Sequence, residues 1–120
     1  MDNKTSLQQL KKLVRAFCED RDWDQYHGPK DLSIGIVTEA AELLDHFRFK
    51  TEVEAKKYLS NSKKRSEVED EVADTLFMLL RFSQMYEIDL TNALKRKIKM
   101  NNKKYPVRKS KGSNKKYTDL

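Results

Sequence analysis

The chain has 120 residues, of which 37% are charged and 38% hydrophobic, with three glycines, two prolines and one cysteine. That composition suits a single helix-rich domain with one modest core and excludes an intramolecular disulfide framework. The net charge of +6 is uneven: residues 1–94 carry 14 Lys/Arg against 18 Asp/Glu, net −4, and residues 95–120 carry 11 against 1, net +10.

The first residues, Met1-Asp2-Asn3-Lys4-Thr5, lack a basic-then-apolar leader pattern, and no apolar run is long enough to span a bilayer. The single Cys18 suits a reducing compartment, so a cytoplasmic location is expected, with Cys18 packed in the core. The spacing of Leu7, Leu10, Leu13, Val14 and Phe17 predicts a first helix from about Ser6 to Asp20, with Thr5-x-x-Gln8 as a capping box. A loop with Trp23, Tyr26, His27, Gly28 and Pro29 follows. A second helix starts near Pro29 or Asp31, where proline fits the first turn, and reaches Phe47. Thr51-x-x-Glu54 opens a short third helix ending near Leu59. A polar linker, Ser60 to Arg65, leads to a fourth helix capped by Ser66-x-x-Glu69 and running to about Glu87. Asp89 caps a fifth, which stops before Pro106. No strand is expected. The fold class is therefore all-α, a four-helix-bundle-like core of about five helices over residues 1–107, with a basic, flexible tail at 108–120.

Two acidic doublets, Glu39-x-x-Glu42 and Glu71-x-x-Asp74, sit inside the hydrophobic stretches of the second and fourth helices. Spacing i,i+3 puts both members of a doublet on one helix face. Glu39 shares its stripe with Leu32, Ile36 and Leu43, and Glu71 with Val68, Thr75, Met78 and Phe82, so both doublets are expected to face inward. Four uncompensated inward carboxylates are costly, and a divalent cation offsets that cost. Hard oxygen ligands favour Mg²⁺, with Mn²⁺ possible, over zinc. A di-iron centre calls for Glu-x-x-His motifs. His46 stands four residues after Glu42 and the fourth helix has no histidine, so His46 is read as a structural neighbour of the site.

On the fifth helix, Lys97, Asn101 and Lys104 form one stripe at i, i+4, i+7, aligned with Leu90, Ala93 and Leu94. Basic and amide groups facing a cation site would suit a polyphosphate. The aromatic loop around Trp23 and His27, with Phe47 and Phe49 beyond the second helix, offers flat surfaces on which a nucleobase stacks. Cation, phosphate donors and an aromatic slot together describe a nucleotide site.

These residues resemble the MazG-like nucleoside triphosphate pyrophosphohydrolases, and within them the small dCTP-pyrophosphatase-like branch. The resemblance runs from about Phe17 to Val107. It rests on Phe17-x-x-x-Arg21-Asp22-Trp23-x-x-Tyr26-His27-x-Pro29-x-x-Leu32, Glu39-Ala-Ala-Glu42-Leu43, Asp70-Glu71-Val72-Ala73-Asp74 and Lys97-x-x-x-Asn101-x-x-Lys104-Tyr105-Pro106. It implies that Glu39, Glu42, Glu71 and Asp74 hold Mg²⁺ and carry catalysis. It further implies that Lys97, Asn101, Lys104 and Tyr105 contact the triphosphate, and that Trp23 and Phe49 contact the base, with His27 beside them on the substrate-binding side. Thr38 stands where many members have a second glutamate, Asp31 where asparagine is common, and Met78 where the dCTP-preferring branch places an aromatic.

The resemblance implies hydrolysis of a (deoxy)nucleoside triphosphate, dCTP-like or modified, to the monophosphate and pyrophosphate, by a bundle that forms homodimers or homotetramers. A different class of function, nucleic-acid binding through the +10 segment, is the alternative. It leaves the four acids unexplained, and the tail has no aromatic interleaved with its basic residues apart from Tyr117, so nucleic acid is not the expected partner.

Overall fold

A computed structural model describes the whole chain, Met1–Leu120. It is all-helical. Six α-helices occur in the order α1 (Leu7–Glu19), α2 (Pro29–Asp45), α3 (Glu52–Ser60), α4 (Ser62–Met85), α5 (Leu90–Lys104) and α6 (Val107–Ser110), with single 3-10 turns at Asp24–Tyr26 and Tyr117–Asp119. No helix is long and apolar enough to cross a membrane. The chain divides into two compact units, Met1–Glu87 and Ile88–Leu120.

The first unit is a four-helix arrangement built around α4, against which α1, α2 and α3 all pack. Its caps show how side chains set the helix starts. Ser6 accepts from the Gln9 amide at 3.1 Å while the Gln9 side chain accepts from the Ser6 amide at 2.7 Å, a reciprocal capping box. The box is therefore one residue later than Thr5-x-x-Gln8. Pro29 opens α2 behind Gly28, and Thr51 accepts from the Glu54 amide to open α3, both as the sequence predicts.

The linker expected over Ser60 to Arg65 is mostly helix. Asn61 alone is extended, and its side chain accepts from the Lys64 amide to start α4 at Ser62, so Ser66 and Glu69 lie inside the helix and do not cap it. The polar first turns hold because they are laced by ion pairs at i,i+3 and i,i+4, Lys64–Glu67 at 3.4 Å and Arg65–Glu69 at 3.2 Å.

The core is small: Val14 and Cys18 from α1, Leu32 from α2, Val68 and Leu80 from α4. Burying a leucine as completely as Leu32 contributes about 1.5–3 kcal/mol. Cys18 is fully buried, and that burial pushes its thiol above the ordinary range, which fits the packing role expected of it. α2 and α4 run antiparallel. Contacts pair His27 with Arg81, Gly35 with Met78, and His46 with Glu71, so position falls on one helix as it rises on the other. At Gly35 the Met78 side chain fills the space that a Cβ would take.

In the second unit, Asp89 accepts from the Asn92 amide at 2.8 Å and caps α5, as its sequence position predicts. Beyond Pro106 the segment forms the short α6 and then the turn at Tyr117, whose ring meets Tyr105 edge-on at 5.8 Å.

Candidate metal centre and active site

Antiparallel packing of α2 on α4 sets the Glu39/Glu42 doublet against Glu71/Asp74. One carboxylate oxygen from each of the four lies within 4.8 Å of the others. Glu39 and Glu71 are half-buried, whereas Glu42 and Asp74 sit at the solvent edge, so the inward orientation expected of both doublets applies to one member of each. Within this group the Glu39 Oε2 and Glu71 Oε2 atoms are buried and have no hydrogen-bond partner. A buried carboxylate oxygen without a donor is costly, and nothing in the chain supplies one.

The electrostatics agree. Desolvation, followed by the charge of Glu42, raises the Glu39 pKa above the ordinary carboxylate value, with Asp74 and Glu71 adding to it. Glu71 is raised by desolvation and then by hydrogen bonding with Glu42, and only His46 acts in the opposite direction. A group of acids that repel each other and keep two unpartnered oxygens fits a hard divalent cation, because the cation supplies both the missing partner and the missing charge.

His46 ends α2 with its Nε2 3.9 Å from Glu71 Oε1 and its Nδ1 2.8 Å from the Tyr58 hydroxyl. It therefore links the rim of the acidic group to α3, in keeping with its expected structural place. Tyr58 was not singled out by the sequence. The ring of Phe47 packs on it edge-on at 5.7 Å, and Lys50 lies over its face. Phe49 is exposed, covered only by the Arg48 guanidinium at 4.5 Å.

The aromatic loop is held from α4. Trp23 stands edge-on to Phe17 at 5.6 Å and to His27 at 6.2 Å, with 38% of its surface exposed. His27 accepts at Nδ1 from Arg81 Nε at 2.8 Å, and its carbonyl accepts from the Tyr86 hydroxyl at 2.8 Å. Burial, then the Arg81 charge, lowers the His27 pKa, which favours the neutral imidazole. Arg81, fully buried, is the residue the sequence reading missed. A charge interrupting Leu79-Leu80-Arg81-Phe82 was its signal.

In the second unit Lys97, Asn101 and Lys104 form the expected stripe on α5, but all three are exposed, as is Leu94 on the same helix. In this chain they do not face an interior. Tyr105 ends α5, and Lys104 Nζ lies 5.0 Å from the Tyr117 ring.

In this all-helical chain four carboxylates converge across two antiparallel helices in an arrangement that could hold a metal ion. Residues 34–120 match the MazG-like family. The chain is 34% identical over 115 residues to dCTP pyrophosphatase 1 of Rattus norvegicus and 30% identical over 115 residues to that of Homo sapiens, in each case 96% of this chain and 68% of the relative. A pyrophosphatase of known structure from Archaeoglobus fulgidus DSM 4304 superposes with a TM-score of 0.77 at 38% identity, covering 82% of this chain and 91% of that one. The chain belongs to the MazG-like family, as a nucleoside triphosphate pyrophosphohydrolase.

Proposed function

We propose that this protein hydrolyses deoxynucleoside triphosphates at the α–β bond, giving the monophosphate and pyrophosphate, with Mg²⁺ or Mn²⁺ held by Glu39, Glu42, Glu71 and Asp74. The observation that carries this reading is the convergence of the four carboxylates with two buried, unpartnered oxygens among them. The relatives named for dCTP pyrophosphatase support a dCTP-like substrate. When bound, the cation neutralises phosphate charge as the bridge bond breaks.

The chain's own residues do the rest. Glu39 and Glu42 are the candidates for taking a proton from the attacking water, and in Glu39 a raised carboxyl pKa moves the base toward neutrality. Lys97, Asn101, Lys104 and Tyr105 carry the cationic and polar groups suited to the departing pyrophosphate, and we propose that role for them on their spacing along α5. Trp23, His27 and Phe49 are assigned to the nucleoside. Self-association as a dimer or tetramer is supported by apolar side chains left exposed on α2 and α4, among them Val37, Leu44 and Val72.

The test is a panel of deoxy- and ribonucleoside triphosphates with Mg²⁺, resolving the nucleotide products. Monophosphate with pyrophosphate is expected; diphosphate with orthophosphate overturns the assignment of the cleaved bond.

A further inference from the structure

Arg81 is wholly buried on α4, and an unpaired guanidinium there would be strongly destabilising. Each of its three nitrogens instead meets an acceptor. Nε meets His27 Nδ1, Nη1 meets Gln84 Oε1 at 2.6 Å, and Nη2 makes a charge-assisted bond to Asp24.

Two consequences follow. Arginine has no acceptor, so the His27 Nδ1 must be the unprotonated nitrogen and the ring proton sits on Nε2. The loop is also tied at three points, the Asp24 carboxylate and the His27 ring to α4 and the His27 carbonyl to Tyr86 just beyond it, and Trp23 leans on that ring.

The position of Arg81 on α4 gives this clamp a direction. Glu71, Asp74, Met78 and Arg81 follow one stripe at i, i+3, i+7 and i+10. Asp74 and Arg81 are thus separated by about 10 Å along the helix, comparable to the reach from a nucleotide's phosphates to its base. Carboxylates occupy one end of the stripe and the clamped aromatic loop the other.

We propose that Arg81 is a positioning residue for the nucleoside end of the substrate: it fixes His27 as the Nε2–H tautomer and holds the loop from Trp23 to Gly28, presenting one hydrogen-bond donor and one aromatic face to the base. This rests on the triphosphate reading above. A preset donor beside a rigid ring discriminates between bases, because a base without a matching acceptor leaves the donor unpaired. Arg81 itself touches no substrate and acts through His27 and Trp23.

The experiment compares wild type, Arg81→Lys, Arg81→Met and Asp24→Asn on four deoxynucleoside triphosphates and on base-free deoxyribose 5-triphosphate, with Mg²⁺. Arg81→Met is expected to raise KM for the preferred nucleotide about tenfold or more, to change kcat by less than about threefold, and to leave KM for the base-free compound unchanged. Arg81→Lys, which keeps the charge but loses the fork, falls between. Equal losses on nucleotide and base-free compound, or an unchanged KM for both, overturn the proposal and leave Arg81 a packing residue.

If Arg81→Met does not fold, Asp24→Asn carries the same comparison, since Asp24 is half-exposed and its loss loosens the same clamp. Nitrogen-15 spectra of the wild-type imidazoles give an independent reading: His27 should show an unprotonated Nδ1 and a protonated Nε2, and the reverse overturns the proposal. Wild type that cleaves no nucleotide defeats the functional reading and this one with it. Active wild type with undiminished base discrimination in the variants defeats this one alone.

Discussion

The terminal methyl of Met78 occupies the space that a side chain on Gly35 would fill. This contact brings α2 and α4 together one turn from Glu39 and one turn from Asp74, and so sets how far apart the two acidic doublets can stand.

Gly35→Ala should be mild. Met78 can swing its flexible end aside, and alanine gains up to about 1 kcal/mol of helix propensity over glycine. Gly35→Leu leaves no such escape and should destabilise by about 1–3 kcal/mol through overpacking. Adding Met78→Ala to Gly35→Leu should return part of that loss, a coupling that denaturant unfolding of the double-mutant cycle would measure. Strict additivity would show that the two residues do not share the space.

Glu42→Gln and Asp74→Asn each remove one ligand while keeping shape. Turnover should fall by about a hundredfold or more in each. Without a cation the variants should melt at or above the wild-type temperature, because the Glu42 charge raises Glu39 and Asp74 acts on both Glu39 and Glu71. Near-normal turnover in both variants would remove the metal centre from the mechanism.

The helices, the caps at Thr51 and Asp89 and the two acidic doublets were legible because each rests on local spacing. Their convergence was legible only as an inference from cost. The first turns of α4 were not. Lys63, Lys64 and Arg65 read as a solvated loop, whereas Glu67 and Glu69, paired with Lys64 and Arg65 one turn back, make a polar helix just as good. Arg81 was hidden for a related reason: helical periodicity assigns a charge to the solvent face, and two of its three acceptors, Asp24 and His27, lie more than fifty residues away in a loop. The exposure of Lys97, Asn101 and Lys104 likewise depends on what covers α5, which spacing cannot encode.

The raised pKa values of Glu39 and Glu71 predict an inverted pH dependence for the cation-free protein. A carboxyl whose folded pKa exceeds its unfolded value binds protons more tightly in the native state. The stability it contributes is full below the ordinary glutamate range and is lost as pH rises through the raised native value. Cation-free protein should therefore lose stability as pH rises through that window, and the Glu39→Gln/Glu71→Gln variant should show less of this fall. Melting curves across pH decide it. Added Mg²⁺ should reverse the trend, since it competes with protons for the same oxygens.

Mg²⁺ should also stabilise the wild type by mass action, by about 2.7 kcal/mol at a hundredfold excess over its dissociation constant. The variant with all four carboxylates changed to amides should show no such shift, and a chelator should abolish both the shift and turnover. An equal shift in both proteins would place the cation elsewhere on the chain.

Tyr117 supplies the last prediction. Its ring packs edge-on against Tyr105, and Lys104 Nζ lies over its face, so the end of the chain orders two residues proposed to meet the triphosphate. An exposed cation–π contact and an aromatic pair are together worth about 1–2 kcal/mol. Tyr117→Ala should therefore raise KM by up to about tenfold while kcat stays within about threefold, and Tyr117→Phe should resemble wild type. Truncation after Val107 removes the same ring together with Arg108, Lys109, Lys111, Lys115 and Lys116, and should match Tyr117→Ala in KM. It should also weaken and flatten the salt dependence of any binding to single-stranded DNA, measured by fluorescence anisotropy, because at most about five phosphate contacts are lost. If Tyr117→Ala behaves as wild type while truncation raises KM, the tail acts through its charges and not through the ring. If neither changes KM, the tail takes no part in holding the triphosphate.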